Sequence, residues 1–353
     1  MREKRKLDHL KLALQSNTQS NSSSFDELHF VHRSLPEKNV QESTLSTKIG
    51  GQQLNSPLII NAMTGGAFST EKVNHDLAVI ASETGIALAV GSQKAALRNK
   101  ELIRTYQIVR EVNSKGPIFA NLSADSHVED AMNAIDMIQA DMLQLHLNIP
   151  QELVMPEGDR NFNGIIDKIH RIKEAVSVPV IVKEVGFGMC QETYKVLNDI
   201  GIEIIDVGGK GGTNFVWIEN ERREAKDFDF IKNWGQSAAL SLIESSAYQD
   251  KIDFISSGGI RNPLDMVKSF ALGAKGVGLA SPILALLKEH GIEKTIDQIH
   301  NWHDQLKSIL TMLGISCIED VIGTPLIIGG TTKEWCECRD IDYKVYAKRG
   351  LSE

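Results

Sequence analysis

Cysteine is scarce in this 353-residue chain, which has only Cys190, Cys317, Cys336 and Cys338. The one close pair, Cys336-Glu337-Cys338, lacks the two-residue spacer of zinc motifs, and no second pair completes a tetrahedral site. Free, reduced thiols are expected. Basic residues are also in deficit: 38 Lys and Arg face 46 Asp and Glu, for a formal charge of −8. That balance argues against a nucleic-acid surface, although a local basic pocket for an anionic ligand stays open. Long apolar runs are missing as well, and none approaches the roughly 20 residues of a membrane span. The basic start Met1-Arg2-Glu3-Lys4-Arg5-Lys6 is followed at once by Leu7-Asp8-His9-Leu10-Lys11, which breaks any signal-type apolar segment. A cytoplasmic protein that works away from membranes is expected.

What is present, 42% hydrophobic and 24% charged residues, suits a large buried core. Eight apolar runs of strand length recur, separated by segments of helical periodicity. They are 57–61, 86–90, 118–122, 142–147, 180–185, 202–207, 252–256 and 276–280. Amphipathic stretches such as 128–138 and 162–176 are long enough for crossover helices. Eight βα units in order predict an α/β fold, a closed (β/α)8 TIM barrel, in preference to an open doubly wound sheet. The barrel is expected over 57–290. Residues 1–56 form an N-terminal extension, with a polar run at 15–24, and 291–353 form a C-terminal extension of the same domain. Beyond Ser281 two terminal helices, 283–287 and 296–313, precede an irregular end. The charge-dense stretch 214–229, with Phe215, Trp217 and Phe228, suits either a lid over the active face or an exposed loop pinned by aromatics.

Glycine and hydroxyl residues gather at the strand ends. Asp206-Val207-Gly208-Gly209-Lys210-Gly211-Gly212-Thr213, Ser256-Ser257-Gly258-Gly259-Ile260-Arg261 and Gly278-Leu279-Ala280-Ser281 follow three successive strands. Glycine lets backbone approach a ligand, and N–H groups with hydroxyls at parallel-strand C-termini make a phosphate cradle. The first strand ends in Ala62-Met63-Thr64-Gly65-Gly66, which can wall a planar ring or simply make a turn with positive φ. Ser92 and Asn121 stand at matching strand ends, where each could instead cap a helix. Lys183 ends an apolar strand and needs an anionic partner; a ligand is favoured over a salt bridge to Glu184 or Asp206, the alternative, if those carboxylates lie on other sides of their strands. His146 and Asn148 share a strand face. Gln151 and Glu152 follow Pro150, and one carboxylate suffices for magnesium when diphosphate oxygens and waters complete the shell. Arg5, Lys6 and His9 would lie within one helical turn and could neutralise an anionic substrate.

Arg-Lys-x-x-His near the start, Met-Thr-Gly-Gly, His-Leu-Asn followed by Gln-Glu, Val-Lys-Glu-Val-Gly, Asp-Val-Gly-Gly-x-Gly-Gly-Thr and Ser-Gly-Gly-Ile-Arg together resemble the type 2 isopentenyl-diphosphate isomerases. The motifs run from Arg5 to Ser281. The glycine motifs alone are also similar to those of FMN-dependent 2-hydroxy-acid oxidoreductases, the rival reading. The resemblance implies an FMN-dependent barrel that interconverts isopentenyl and dimethylallyl diphosphate, with reduced FMN as acid and base, Mg2+ on the diphosphate and NADPH as reductant of the flavin. It implies FMN contacts at Ala62, Met63, Thr64, Ser92, Asn121, Lys183 and Thr213, with the phosphate at Gly258, Gly259, Ala280 and Ser281; Arg261 is counted with the cofactor-binding residues, and in the rival reading it is a candidate clamp for a carboxylate. It further places Arg5, Lys6, His9 and Gln151 on the substrate and Glu152 on the metal; Gln151 and His146 are then expected to position the alkene end or a proton-carrying water beside the flavin. A homo-oligomer, tetramer or octamer, is the assembly the family implies.

Overall fold

The computed structural model describes residues 23–350. Eight parallel strands close into a barrel: β4 (Leu58–Ile60), β5 (Ala87–Ala89), β6 (Ile118–Ser123), β7 (Met142–Leu147), β8 (Val180–Glu184), β9 (Ile204–Asp206), β10 (Asp253–Ser257) and β11 (Ala274–Leu279). Each lies within two residues of a run expected from the sequence. Three short strands precede them, β1 (Leu28–Phe30), β2 (Thr47–Ile49) and β3 (Gln52–Leu54), and β12 (Leu326–Ile328) follows.

Strand alternation decides what faces the lumen. Ile59, Phe119, Met142, Ile181, Ile204 and Ile255 belong to one buried inner cluster, while Leu58, Ile60, Ile118, Ala120, Val182 and Ile205 pack outward in the main core. Two residues further along six of the eight strands the inner positions turn polar, to Asn61, Asn121, Gln144, Lys183, Asp206 and Ser257, all buried. The barrel therefore has an apolar floor and a polar upper layer. Gly278 leaves the room this layer needs, because a Cβ there would sit 2.6 Å from Asn61 Nδ2.

The β2–β3 hairpin closes the barrel bottom, a feature the sequence reading did not anticipate. Ile49 and Leu54 join the inner apolar cluster, and burying each contributes on the order of 1.5–3 kcal/mol. Hydrogen bonds from Gly50 N to Asp253 Oδ2 (2.8 Å) and from Gln52 Nε2 to the Asp141 carbonyl (2.8 Å) seat it.

Helices connect the strands, most of them covering the outside and short ones bordering the mouth: α1 (Glu71–Thr84), α2 (Lys94–Arg98), α3 (Arg104–Val112), α4 (Val128–Ile138), α5 (Ile149–Val154) and α6 (Ile165–Ala175). They continue with α7 (Gln191–Asp199), α8 (Phe215–Arg222), α9 (Ala238–Glu244) and α10 (Pro263–Ala271). The two helices expected near the C-terminus are one run, α11 (Ser281–Met312), broken at Gly291, where φ is 80°. The supposedly irregular end is ordered: it holds β12, α12 (Gly330–Cys338) and α13 (Lys344–Ala347). β12 pairs antiparallel with β1, so the two flanking extensions meet. Glu27 ties them further, its carboxylate accepting from Thr331 N and Thr332 N at the start of α12. Among the described residues no helix is long and apolar enough to cross a membrane.

Candidate functional site

The polar layer opens into a cavity of about 1270 Å3 at the C-terminal mouth of the barrel, lined in part by Asn61, His146, Lys183 and Ser257. The described residues singled out in the sequence for cofactor, substrate or metal all line it: Ala62, Met63, Thr64, Ser92, Asn121, His146, Gln151, Glu152, Lys183, Thr213, Gly258, Gly259, Arg261, Ala280 and Ser281. Arg5, Lys6 and His9 lie outside the described residues.

One wall is nearly bare backbone. The 208–212 and 258–259 loops pack face to face, so closely that a Cβ on Gly258 would stand 1.9 Å from the Gly209 carbonyl oxygen. Gly258 (φ 89°) and Gly259 (φ 73°) occupy the left-handed region that glycine tolerates without strain. Beside them the Thr213 and Ser281 hydroxyls are 2.8 Å apart, and Ser281 opens the long helix α11. Backbone N–H groups, two hydroxyls and a helix start are the donor set a phosphate monoester takes. The residues present therefore fit the phosphate end of a flavin mononucleotide.

Arg261 was counted among the cofactor-binding residues, but its guanidinium is committed to carboxylates. Nη1 and Nη2 meet the Asp26 carboxylate at 3.0 and 2.5 Å, and Nε meets Asp265 at 2.9 Å. Those bonds draw Asp26 down to about pKa 2. Arg261 thus clasps the 3-10 turn Ser24–Glu27 against the barrel, with Lys268 Nζ on the Phe25 carbonyl (2.7 Å) as a second clasp.

Lys183 also departs from expectation. Strand register sets it beside Asp206 on the same inner face, with Nζ 4.0 Å from Oδ2, while Nζ donates to the Glu184 carbonyl at 2.7 Å. Both are lumen positions of period-2 strands, so the assumption that the carboxylate points away fails for Asp206. Glu184 points otherwise, its Oε2 accepting from the N–H groups of Val185, Gly186 and Phe187 to shape the loop after β8. Burial pushes its carboxyl up to about 8, against the pull of those N–H groups.

Thr64 spends its hydroxyl on Asn74, and Gly65 and Gly66 take positive φ, as a tight turn requires. A Cβ on Gly65 would meet the buried Tyr106 ring at 2.1 Å. Asn148 caps α5 rather than continuing β7, and its amide donates to Glu152 Oε1 at 2.9 Å. Glu152 Oε2 accepts from Asp159 N at 3.0 Å. Two of the carboxylate's roughly four lone-pair sites are thus in use, which leaves capacity for a cation. Among the described residues no group of three His, Cys, Asp or Glu could hold a metal without help from a ligand.

Two groups, one behind the cavity wall and one on its rim, escaped the sequence reading. Glu219 on α8 is fully buried, pairs with Arg222, and accepts from Gln151 Nε2 at 3.1 Å. Its signal was the shared helix face of Val216, Glu219 and Arg222 at three-residue spacing, hidden among other charges. Arg98 at the end of α2 is exposed on the cavity rim. Lys94, nearby, is held by Asp125 at 3.0 Å.

A family model described as FMN-dependent dehydrogenase matches residues 159–327. The isopentenyl-diphosphate delta-isomerase of Staphylococcus haemolyticus is 47% identical over 341 residues, covering 97% of each chain. That of Listeria welshimeri is 46% identical over 350 residues, 99% of this chain and 98% of its own. Among solved structures, a lactate oxidase from Pediococcus acidilactici superposes with TM-score 0.67 at 18% identity, over 90% of this chain and 87% of its own. A flavocytochrome b2 variant with benzoylformate gives 0.66 at 18%, over 92% and 80%. At such identity the structural likeness speaks for the barrel alone.

Proposed function

The chain belongs to the isopentenyl-diphosphate delta-isomerase family, and we propose that its barrel mouth binds FMN and interconverts isopentenyl and dimethylallyl diphosphate there. The observation that carries the flavin reading is the glycine-walled recess of Gly258 and Gly259 beside the paired Thr213 and Ser281 hydroxyls. When bound, the reduced isoalloxazine supplies electron density and a proton-exchange site beside the alkene.

The chain's own residues do the rest. Lys183, at the top of the polar layer, offers a cation to the ring's polar edge. Ala62 and Met63 wall its face. Gln151 is oriented by Glu219, so the carboxylate and amide together hold or move a proton at one end of the five-carbon chain. His146 holds the other side. Arg98, with Arg5, Lys6 and His9, neutralises the diphosphate, and Glu152 takes Mg2+ shared with diphosphate oxygens. NADPH is the reductant of the flavin in this reading, and no net electron transfer to the substrate is required. The flavin-binding unit is 57–290, flanked by 1–56 and 291–353, and assembly is as a tetramer or octamer in the cytoplasm.

The deciding experiment is anaerobic. Purified protein should retain or take up FMN, convert isopentenyl diphosphate only when the flavin is reduced, and lose most turnover on treatment with EDTA. A 2-hydroxy acid should leave the oxidised flavin unbleached. Bleaching by the hydroxy acid, with no turnover of the diphosphate, would establish the oxidoreductase reading instead.

A further inference from the structure

Beneath the cavity the buried polar layer forms one continuous hydrogen-bonded chain. Asn61 Nδ2 donates to Asp206 Oδ2 at 2.7 Å, and Gln144 Nε2 donates to Asn61 Oδ1 at 3.3 Å. Asn121 Nδ2 then donates to Gln144 Oε1 at 3.2 Å, and Asn121 Oδ1 lies 2.7 Å from His146 Nδ1. The four residues from Asp206 to Asn121 are 0–5% exposed, so water does not compete for these bonds.

The direction of the chain is a chemical necessity. A carboxylate only accepts, and Asp206 has the Lys183 ammonium 4.0 Å from Oδ2 with Ser257 Oγ and Gly208 N donating to Oδ1. The group Asn61 turns toward it must therefore be NH2. The Ala62 N–H, 2.9 Å from the other Asn61 atom, independently requires that atom to be oxygen. An oxygen there demands the NH2 of Gln144, whose oxygen in turn demands the NH2 of Asn121. Asn121 is left presenting its oxygen to the imidazole, and only an N–H can answer it.

From this we propose that Asp206 is a positioning residue which, through Asn61, Gln144 and Asn121, locks His146 in the Nδ1–H tautomer and leaves Nε2 as a proton acceptor at the cavity. Burial, reinforced by the Lys183 charge, draws the imidazole down to about pKa 3, so the ring carries a single N–H at neutral pH. The inference deepens the function proposed above and rests on it for its meaning: the site presents a lone pair, not an N–H, to the substrate or to a water beside it. His146 then orders a donor and does not deliver a proton itself.

The test reads the ring, not turnover. The full-length protein as purified, labelled with 15N at both histidine ring nitrogens, is observed by NMR at neutral pH, and the His146 signals are identified by their loss in His146→Gln. Expected is one neutral form, protonated at Nδ1 and bare at Nε2. Gln144→Met severs the chain at its middle without touching a ligand, and should release the ring into a mixture in which at least a tenth carries the proton on Nε2. A wild-type ring protonated on Nε2 or in mixed form overturns the proposal, as does an unchanged tautomer in folded Gln144→Met. If that variant does not fold, the wild-type spectrum still decides. The tautomer is read whether or not isopentenyl diphosphate is converted, so the two readings fail separately.

Discussion

Gln151 Nε2 and Glu219 Oε1 are 3.1 Å apart, joining the loop and helix after β7 to a helix 68 residues further along the chain. Glu219 is fully buried, and besides Gln151 its carboxylate is answered by Arg222, which also reaches Glu157 at 2.6 Å. A buried carboxylate that shares its charge between an amide and a guanidinium keeps a fixed geometry, which proton transfer to a hydrocarbon needs.

Glu219→Gln should preserve shape while removing the charge. Turnover is expected to fall by about 100-fold or more, the usual scale for losing a general acid–base group. Bound flavin per chain, read from visible absorbance, should stay near wild type. Gln151→Ala should show the same split. Near-wild-type kcat in both variants would take the pair out of the mechanism.

Arg98→Ala tests the rim. A charge that meets the diphosphate equally in ground and transition states changes KM and not kcat. An increase in KM of about tenfold, near 1.4 kcal/mol, is expected with kcat within twofold. An unchanged KM would remove Arg98 from the substrate.

Gly258→Ala and Arg261→Lys should separate backbone cradle from clasp. The added methyl on Gly258 would lie 1.9 Å from the Gly209 carbonyl oxygen at a φ of 89°, so flavin binding should be lost, and folding yield with it. Arg261 touches carboxylates, half-exposed on the Asp26 side. Its replacement by Lys should cost only about 0.5–1 kcal/mol in denaturant unfolding and change FMN affinity less than tenfold. Loss of flavin from Arg261→Lys in a folded protein would restore Arg261 to the cofactor site.

Acid should weaken the fold through two half-buried histidines. His303 on α11, 2.8 Å from Ser56 Oγ, is drawn down to about pKa 4 by burial, and His146 to about 3. Their folded pKa values lie below the unfolded value of about 6.5. Between these limits the unfolded chain binds more protons, so stability rises with pH and is lost as pH falls from about 6.5 toward 4. Urea midpoints measured across that window should drop less steeply in His303→Gln. An identical slope would mean that His303 is not held neutral.

The strands and the polar residues at the ends of several of them were legible in the sequence, because both are local. Ile59 then Asn61, Phe119 then Asn121, and Ile204 then Asp206 each repeat at a spacing of two, which the pleated backbone turns to one side. The hairpin at 47–54 was not legible. Ile49 and Leu54 are only two apolar residues in a polar context, and their value comes from a barrel floor whose strands lie as far as 200 residues away in sequence. Glu219 was hidden for a related reason, since a carboxylate on a charged helix looks solvated until Gln151 and Arg222 are seen to enclose it. The commitment of Arg261 to Asp26 spans 235 residues, and no spacing rule reports it.

The chain's own order of residues determined the eight strands, the glycines at their ends and the family to which they belong, since backbone sterics and side-chain alternation act over a few neighbours. Closure of the barrel alone decided which polar groups meet: Lys183 with Asp206, Gln151 with Glu219, and the one-way line of donors from His146 to Asp206. Hydrogen bonds and ion pairs depend on distances of about 3–4 Å in space, and a fold sets those distances between residues that the chain itself keeps far apart.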